Sequence, residues 1–450
     1  MHSLIISVSG IRGRVGKGLT PEVACAFAST FGALCGSGEI LVGRDTRGSG
    51  DMLRLAVLSG LVSVGSNVVD LGIVPTPTVL FNVRRGGAAG GIAITASHNP
   101  IPWNGLKFVG SSGIFLDEKE GTEFLKQHAA GGARKVSWNR LGHLRSDANA
   151  VQRHIRAILD LDLIHVEQIR ARKFRVALDP VNGAGIVASP LLLRELGCEV
   201  ILLNDRITGR FAHDPEPVPD HLTDLCAQVK IRGADIGFAN DPDADRLAIV
   251  SEKGVPIGEE YTLALATKFL LRRRLGPVVA NLSTSQMMED IARAVGVDVY
   301  RTPVGEVNVV RTIQATGAVI GGEGNGGVIL PALNLGRDAL VGMALTLQYL
   351  AETGATVTEL TEELPRYVIL KRKYQRPGLN KDQALSAVRL AYEGKVNMDL
   401  RDGVKLIRGS AWIHLRKSNT EPILRAVVEA GTREEAEELY QEVIGLFETL

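Results

Sequence analysis

Cysteine is scarce: 4 in 450 residues, at Cys25, Cys35, Cys198 and Cys226, with no Cys-x-x-Cys pair. That excludes a disulfide scaffold and leaves buried thiols in a reducing compartment as the expectation. Net charge is nearly absent as well, at +1. The short basic run Lys371-Arg372-Lys373 reads as a solvated strand end. Nucleic-acid binding is therefore not expected. No apolar stretch approaches the roughly 20 residues that span a bilayer, and the amino terminus lacks the basic segment and apolar centre of a signal peptide. A cytoplasmic protein without a membrane partner is expected.

Glycine, by contrast, is abundant, at 50 residues against a usual share of about 7%. Many glycines follow short apolar runs, where the backbone turns or must approach something closely. The chain is too long for one core, and roughly 150 residues per domain gives about three domains as a first expectation. Strand-like and helix-like segments alternate: a strand at 39–42, a helix at 52–64, a strand at 67–71, then the same rhythm at 174–203 and 278–300. Such alternation points to α/β units, with mixed or parallel sheets covered by helices. From about 368 the pattern changes to strands at 403–407, 411–415 and 423–430 flanked by two helices, a smaller α+β module. The expected domains are 1–150, 151–254, 255–367 and 368–450.

Three strand candidates, 88–95, 234–240 and 317–322, each run into a polar loop. Open α/β sheets place ligands beyond the carboxyl ends of their strands, so three such loops could face one cleft. In Thr95-Ala96-Ser97-His98-Asn99-Pro100, Ser97 is placed to be exposed, although the local sequence alone favours an ordinary turn. His98 is adjacent, but neighbours at a strand end point apart, so a hydrolase-like Ser–His pair is not implied. In Asp241-Pro242-Asp243-Ala244-Asp245-Arg246, three carboxylates at alternate positions repel one another unless a cation or several donors lie between them. Oxygen ligands of this kind suit Mg²⁺ or Ca²⁺. Arg246 stands where an EF-hand needs glycine, which argues against that loop; a solvated acidic turn is the plain alternative. In Gly322-Glu323-Gly324-Asn325-Gly326-Gly327, Glu323 and Asn325 can hydrogen-bond hydroxyls while the glycines admit a ligand.

A fourth loop, Arg416-Lys417-Ser418-Asn419-Thr420-Glu421-Pro422 with Arg425 beyond it, combines cations, hydroxyls and an amide as a phosphate cradle would. Arg12, between Gly10 and Gly13, is another candidate phosphate contact. Together the loops offer a serine acceptor, a divalent-cation site, a hydroxyl reader and a phosphate clamp. That set fits phosphoryl transfer to and from a sugar phosphate.

From Ser9 nearly to the end, and in the same order of four motifs, the chain resembles the α-D-phosphohexomutase family. The resemblance implies three similar mixed-sheet α/β domains and a smaller C-terminal α+β domain around a central cleft. It implies that Ser97 is a phosphoserine and that Asp241, Asp243 and Asp245 bind Mg²⁺ beside it. Lys107 would assist proton transfer, with His98 also a catalytic candidate. Arg12 and Arg246 would stabilise the phosphoryl group. Glu323 and Asn325 would read sugar hydroxyls, and Arg416, Ser418, Asn419, Thr420 and Arg425 would hold the second phosphate. The implied reaction exchanges hexose 1-phosphate and 6-phosphate through a hexose 1,6-bisphosphate. Many relatives end the sugar loop in Ser-Gly-His; here it is Asn325-Gly326-Gly327, so no histidine role transfers to Gly327. The glycine-rich form is similar to an archaeal-type branch described as phosphoglucosamine mutases, with mannose and glucose phosphates as the second expectation. A phosphoserine-dependent sugar phosphatase is the alternative of a different class. The sequence leaves open whether the protein is a monomer or a homo-oligomer.

Overall fold

The computed structural model describes residues 4–36, 38–418 and 423–449. Its first sheet has seven strands. At its centre Asn67–Ile73, Glu39–Arg44 and Gly90–Ile94 lie parallel, and Trp103–Gly110 runs antiparallel beside the last of them. The second sheet repeats that plan: Glu199–Leu202, Arg175–Asp179 and Ile236–Asn240 parallel, then Leu247–Ser251 antiparallel. So does the third, with Val299–Thr302, Val278–Asn281, Ile320–Glu323 and then Gly327–Ile329. In each sheet the loop of interest joins the third parallel strand to the antiparallel one. The expected likeness of the three units therefore resides in strand order, not in residue identity.

Each of these loops also holds a residue in the left-handed region: Ser97 (φ 48°), Ala244 (φ 52°) and Gly326 (φ 85°). A chain that must reverse from a parallel strand into an antiparallel neighbour within a few residues needs such a turn. At Gly326 a side chain is also excluded by space, since a Cβ would sit 2.4 Å from the Leu247 carbonyl oxygen.

The fourth sheet is antiparallel throughout, in the order Val368–Tyr374, Leu424–Ala430, Ala411–Lys417, Val404–Arg408, Asn397–Asp399. Helices Lys381–Tyr392 and Arg433–Gly445 are capped by Asn380 and Thr432. They contribute Val388, Leu439 and Val443 to a separate apolar core with Leu406, Ile413 and Val428.

The first three units share one continuous apolar cluster, from Leu41 and Phe81 through Phe238 and Leu247 to Leu345 and Leu364. Helix Ala339–Thr353 forms its axis and is buried nearly all round, as its almost wholly apolar sequence requires. The Asp338 carboxylate accepts from the Leu340 and Val341 amides at the helix start. Its other oxygen is 2.8 Å from His154 Nε2, and His154 also meets Thr78 Oγ1 at 3.0 Å, which ties three helices together. Cys198 is buried and the other cysteines are half-buried; burial pushes the Cys35 and Cys198 thiols up to about 12. Among the described residues no helix is long and apolar enough to cross a membrane.

Candidate active site

Ser97 follows strand Gly90–Ile94, and its loop is clamped from below by a pair that motif reading does not single out. Arg47, 1% exposed, donates to the carbonyls of Ser97 (2.6 Å), Asn99 (2.6 Å), Pro100 (3.0 Å) and Trp103 (3.0 Å). Asp45 neutralises Arg47 and accepts from Thr95 Oγ1 at 2.7 Å. With its carbonyl so held and its φ positive, Ser97 aims its hydroxyl at the second unit and donates to Asp241 Oδ2 at 2.9 Å. The same backbone turn corrects the expectation about His98. Its Nδ1 lies 3.4 Å from Ser97 Oγ, because a left-handed residue does not alternate as an extended strand does. Burial, then Arg246, Arg12 and Arg337, hold the imidazole well below its ordinary value, so it is neutral near pH 7. Glu216 Oε1 lies 3.8 Å from His98 Nε2 and 3.5 Å from Arg246 Nη1.

The three aspartates leave strand Ile236–Asn240 with their carboxylates buried, and one oxygen of each lies within 4.8 Å of the others. Asp241 Oδ1 accepts the amides of Asp245 and Arg246, both at 3.1 Å. Asp243 Oδ2 accepts Thr76 Oγ1 and Lys107 Nζ, both at 2.7 Å. Asp245 Oδ2 accepts Arg337 Nη2 at 2.7 Å. The Oδ1 atoms of Asp243 and Asp245 are buried without a hydrogen-bond partner. A buried carboxylate oxygen with no donor carries an uncompensated desolvation cost, and two of them beside Asp241 match the hard, all-oxygen donor set of a divalent cation. The residues therefore fit a metal ion.

Electrostatics separate Asp241 from Asp243. Burial, with repulsion from Asp245 and Asp243, pushes Asp241 well above the ordinary carboxylate range. Burial pushes Asp243 the same way, but the Lys107 ammonium and the Thr76 hydroxyl overcome it and hold this carboxyl below that range. Lys107 is correspondingly kept protonated: burial opposes its charge, yet Asp243 and Asp245 raise it. It projects from strand Trp103–Gly110, a segment that reads in sequence as a continuation of the serine loop. Arg12, on strand Gly10–Arg14, donates from Nη1 to Asn99 Oδ1 at 2.5 Å. Arg246 is 9% exposed behind the aspartate loop.

Glu323 ends strand Ile320–Glu323 and is 4% exposed. Its Oε1 accepts from Asn281 Nδ2 (2.8 Å) and the Gly305 amide (3.1 Å), and its Oε2 from Arg337 Nη1 (2.8 Å). Burial pushes Glu323 up, but Arg337 and Asn281 outweigh it, so the group stays ionised. Asn325 Nδ2 reaches Glu323 Oε2 at 3.4 Å. The first three loops thus meet, the first on the second through Ser97 and Asp241, and the second with the third through Arg337. In the fourth unit Arg416 and Arg425 are paired across neighbouring strands, Arg416 lies within electrostatic reach of Glu323, and the Ser418 amide donates to the Ile423 carbonyl at 3.0 Å. Asn419 and Thr420 lie outside the described residues. Lys371 is exposed, as expected of a solvated strand end, yet its ammonium also donates to the Gly324 carbonyl at 2.6 Å and lies 3.1 Å from Glu260.

Arg337, Glu306, Arg47 and Asp45 are the site residues that sequence reasoning misses. The available signal for Arg337 is a charged pair, Arg337-Asp338, set directly before a wholly apolar helix.

A serine hydroxyl bonded to a carboxylate whose cluster could hold a cation, with a lysine and arginines beside it, suits phosphoryl transfer. The four models that describe phosphoglucomutase/phosphomannomutase match in order: α/β/α domain I at 4–133, domain II at 152–254, domain III at 258–367 and the C-terminal domain at 370–446. The chain belongs to the phosphoglucomutase/phosphomannomutase family. It is 37% identical to a probable phosphoglucosamine mutase of Methanopyrus kandleri, covering 97% of this chain and 96% of that one. It is 38% identical to a phosphoglucomutase/phosphomannomutase of Thermococcus kodakarensis, covering 98% and 97%. Among solved structures, a phosphoglucomutase/phosphomannomutase family protein of Burkholderia thailandensis superposes with a TM-score of 0.85 at 27% identity, covering 98% of each chain.

Proposed function

We propose that the chain is a phosphoglucosamine mutase, a phosphohexomutase that moves a phosphoryl group between O1 and O6 of glucosamine phosphate through phosphorylated Ser97. The observation that carries this reading is the bond from Ser97 Oγ to Asp241 Oδ2, at 2.9 Å, inside a carboxylate cluster in which two oxygens lack a hydrogen-bond partner. Mg²⁺ is the cation proposed for Asp241, Asp243, Asp245 and Ser97, and when bound it neutralises charge on the transferring group.

The other steps belong to this chain. Phosphoserine 97 gives its phosphoryl group to the free hydroxyl of the sugar monophosphate: the bond from Ser97 Oγ to phosphorus breaks and a new oxygen–phosphorus bond forms. The sugar hydroxyl's proton passes to the neutral His98, and Lys107 supplies one to the departing Ser97 oxygen, a division of roles proposed from the opposite directions in which burial and neighbouring charges move the two groups. Arg12 and Arg246 offset charge on the group in flight. The hexose 1,6-bisphosphate then turns end for end and returns its other phosphoryl group to Ser97. Glu323 and Asn325 read the hydroxyls in both orientations, while Arg416, Ser418, Asn419, Thr420 and Arg425 hold whichever phosphate is not reacting. Because a bisphosphate lost in mid-cycle leaves Ser97 bare, hexose 1,6-bisphosphate is the expected activator.

A side-by-side assay with glucosamine-, mannose- and glucose-1-phosphate, Mg²⁺ and the matching bisphosphate tests the reading. Mass spectrometry should find phosphate on Ser97, and Ser97→Ala should lose nearly all interconversion. Preference for mannose or glucose phosphate would support the second reading, which the Thermococcus kodakarensis relative named for those sugars favours. Free phosphate released in step with substrate loss would instead make the protein a phosphatase.

A further inference from the structure

Arg337 comes from no motif loop, yet it touches two of them. It is 9% exposed and each of its three guanidinium nitrogens donates to a carboxylate. Nη2 donates to Asp245 Oδ2 at 2.7 Å, Nη1 to Glu323 Oε2 at 2.8 Å and Nε to Glu306 Oε2 at 3.1 Å, while its backbone amide donates to Glu306 Oε1 at 3.0 Å. Asp245 belongs to the second sheet's loop and Glu323 to the third's, so one planar side chain spans the seam between cation site and sugar reader. The next residue anchors it: the Asp338 amide donates to the Val328 carbonyl at 2.9 Å, and its carboxylate caps the buried Ala339–Thr353 helix.

The stem of the same side chain explains a glycine. A Cβ on Gly327 would lie 2.3 Å from Arg337 Cδ and 2.9 Å from its Cγ. Those atoms sit in the middle of a side chain tethered at its far end by the three carboxylates, so they cannot swing aside as a free terminus would.

We propose that Arg337 is a positioning residue that fixes Glu323 relative to the aspartate loop, thereby setting hexose discrimination, and that position 327 is glycine because the Arg337 stem crosses it. The inference rests on the proposed mutase reading and deepens it. By occupying Asp245 Oδ2 and Glu323 Oε2 together, the guanidinium leaves Asp245 Oδ1 to the cation and holds the two carboxylates at one separation. A lysine carries the charge but presents a single ammonium on a flexible stem, and it cannot bridge two carboxylates in a fixed plane.

The test is a set of four variants: Arg337→Lys, Arg337→Ala, Gly327→Ala and the double Gly327→Ala/Arg337→Ala. kcat and KM are measured on the three sugar phosphates, and thermal midpoints on the same preparations. Arg337→Lys should keep its midpoint within a few degrees, lose about tenfold in kcat/KM on the preferred sugar, and narrow the ratio between preferred and poor sugars. An Arg337→Lys enzyme that retains the full preference would overturn the proposal, because loss of a merely structural contact would not move that ratio. Gly327→Ala should cost about tenfold alone but no more than about twofold in the Arg337→Ala background, since the obstructing atoms are then gone. Additive losses would overturn the claim about Gly327. If Arg337→Ala does not fold, Arg337→Lys and Gly327→Ala decide the matter alone: either one behaving as the unmodified protein overturns it. If the unmodified protein turns over none of the three sugars, the mutase reading fails. The link between Arg337 and Gly327 is then read from thermal midpoints: non-additive shifts support it, and additive shifts overturn it.

Discussion

The first three units and the fourth are attached by different chemistry. Phe81, Phe238, Leu247 and Leu345 belong to three successive sheets and their helices, yet they lie in one apolar cluster. The fourth unit closes its own core, and its junction with the third is made of polar contacts. Lys405 Nζ donates to the Leu282 carbonyl (2.7 Å), His414 Nδ1 meets Ser283 Oγ (2.8 Å), the Gln286 amide donates to Glu429 Oε1 (2.8 Å), and the Val304 amide donates to Asp402 Oδ2 (2.9 Å). Parting an apolar seam exposes surface at about 25 cal/mol per Å². Parting a polar one exchanges each bond for a bond to water, at a net cost of about 1 kcal/mol apiece. The lesson is a division of labour. The serine, aspartate and Glu323 loops sit on a body that cannot shear without losing its core, whereas the fourth unit is held to it by bonds that water can replace.

The contrast breaks most visibly if the core is cut. Phe238→Ala, at a fully buried position, should cost about 3–5 kcal/mol. Urea unfolding should show the first three units melting in one transition; separate transitions would mean that the weld is not a weld. A smaller effect is expected at the junction. Lys371→Met removes the bond to the Gly324 carbonyl, and should leave the main thermal transition in place while enlarging the radius of gyration in X-ray scattering and raising KM about threefold or more. An unchanged scattering profile would sink that expectation.

Smaller still are the pH effects. Burial raises Glu260 from 4.5 to about 7, so its contribution to stability is complete below about 4.5 and is lost as pH rises through about 7. Burial, with the Arg301 charge, lowers Lys405 from 10.5 to about 7. The folded state then binds fewer protons than the unfolded one between those values, and this contribution grows as pH rises from about 7 to about 10.5. Relative to the unmodified protein, Glu260→Gln should remove a fall in thermal midpoint between about pH 4.5 and 7, so that its acid limb climbs more steeply, and Lys405→Met should remove a rise between about pH 7 and 10.5, so that its alkaline limb drops more steeply. Least of all, Arg145→Ala, which removes an exposed pair with Glu39, should change stability by under about 0.5 kcal/mol; a larger loss would show that the sheet edge matters more than its exposure suggests.

Much of this was legible in residues. The strand before the aspartates, the strand before Glu323 and the C-terminal α+β pattern all announced themselves through short apolar runs closed by polar loops. Residues whose meaning depends on distant partners stayed hidden from the local pattern. Lys107 was reached only through the family resemblance, because Gly105 and Gly110 interrupt the strand pattern around it and its partner Asp243 is far along the chain. Arg337 pairs with Asp245 and Glu323 from a stretch with no motif of its own. His98 was misdirected by a period-two rule that fails at a left-handed residue. Spacing reports local periodicity well, but it cannot report which buried charges meet across sheets.

The positive φ at Ser97 has a consequence for the identity of the reacting group itself. Serine and threonine offer the same alcohol, and elsewhere they are often interchanged as phosphate carriers. A β-branched side chain in the left-handed region is a stereochemical outlier, however. With Arg47 fixing the carbonyl of residue 97, the main chain has little room to relax toward a conformation that threonine accepts. Ser97→Thr would keep the oxygen and lose its aim, so the main-chain torsion here selects the alcohol.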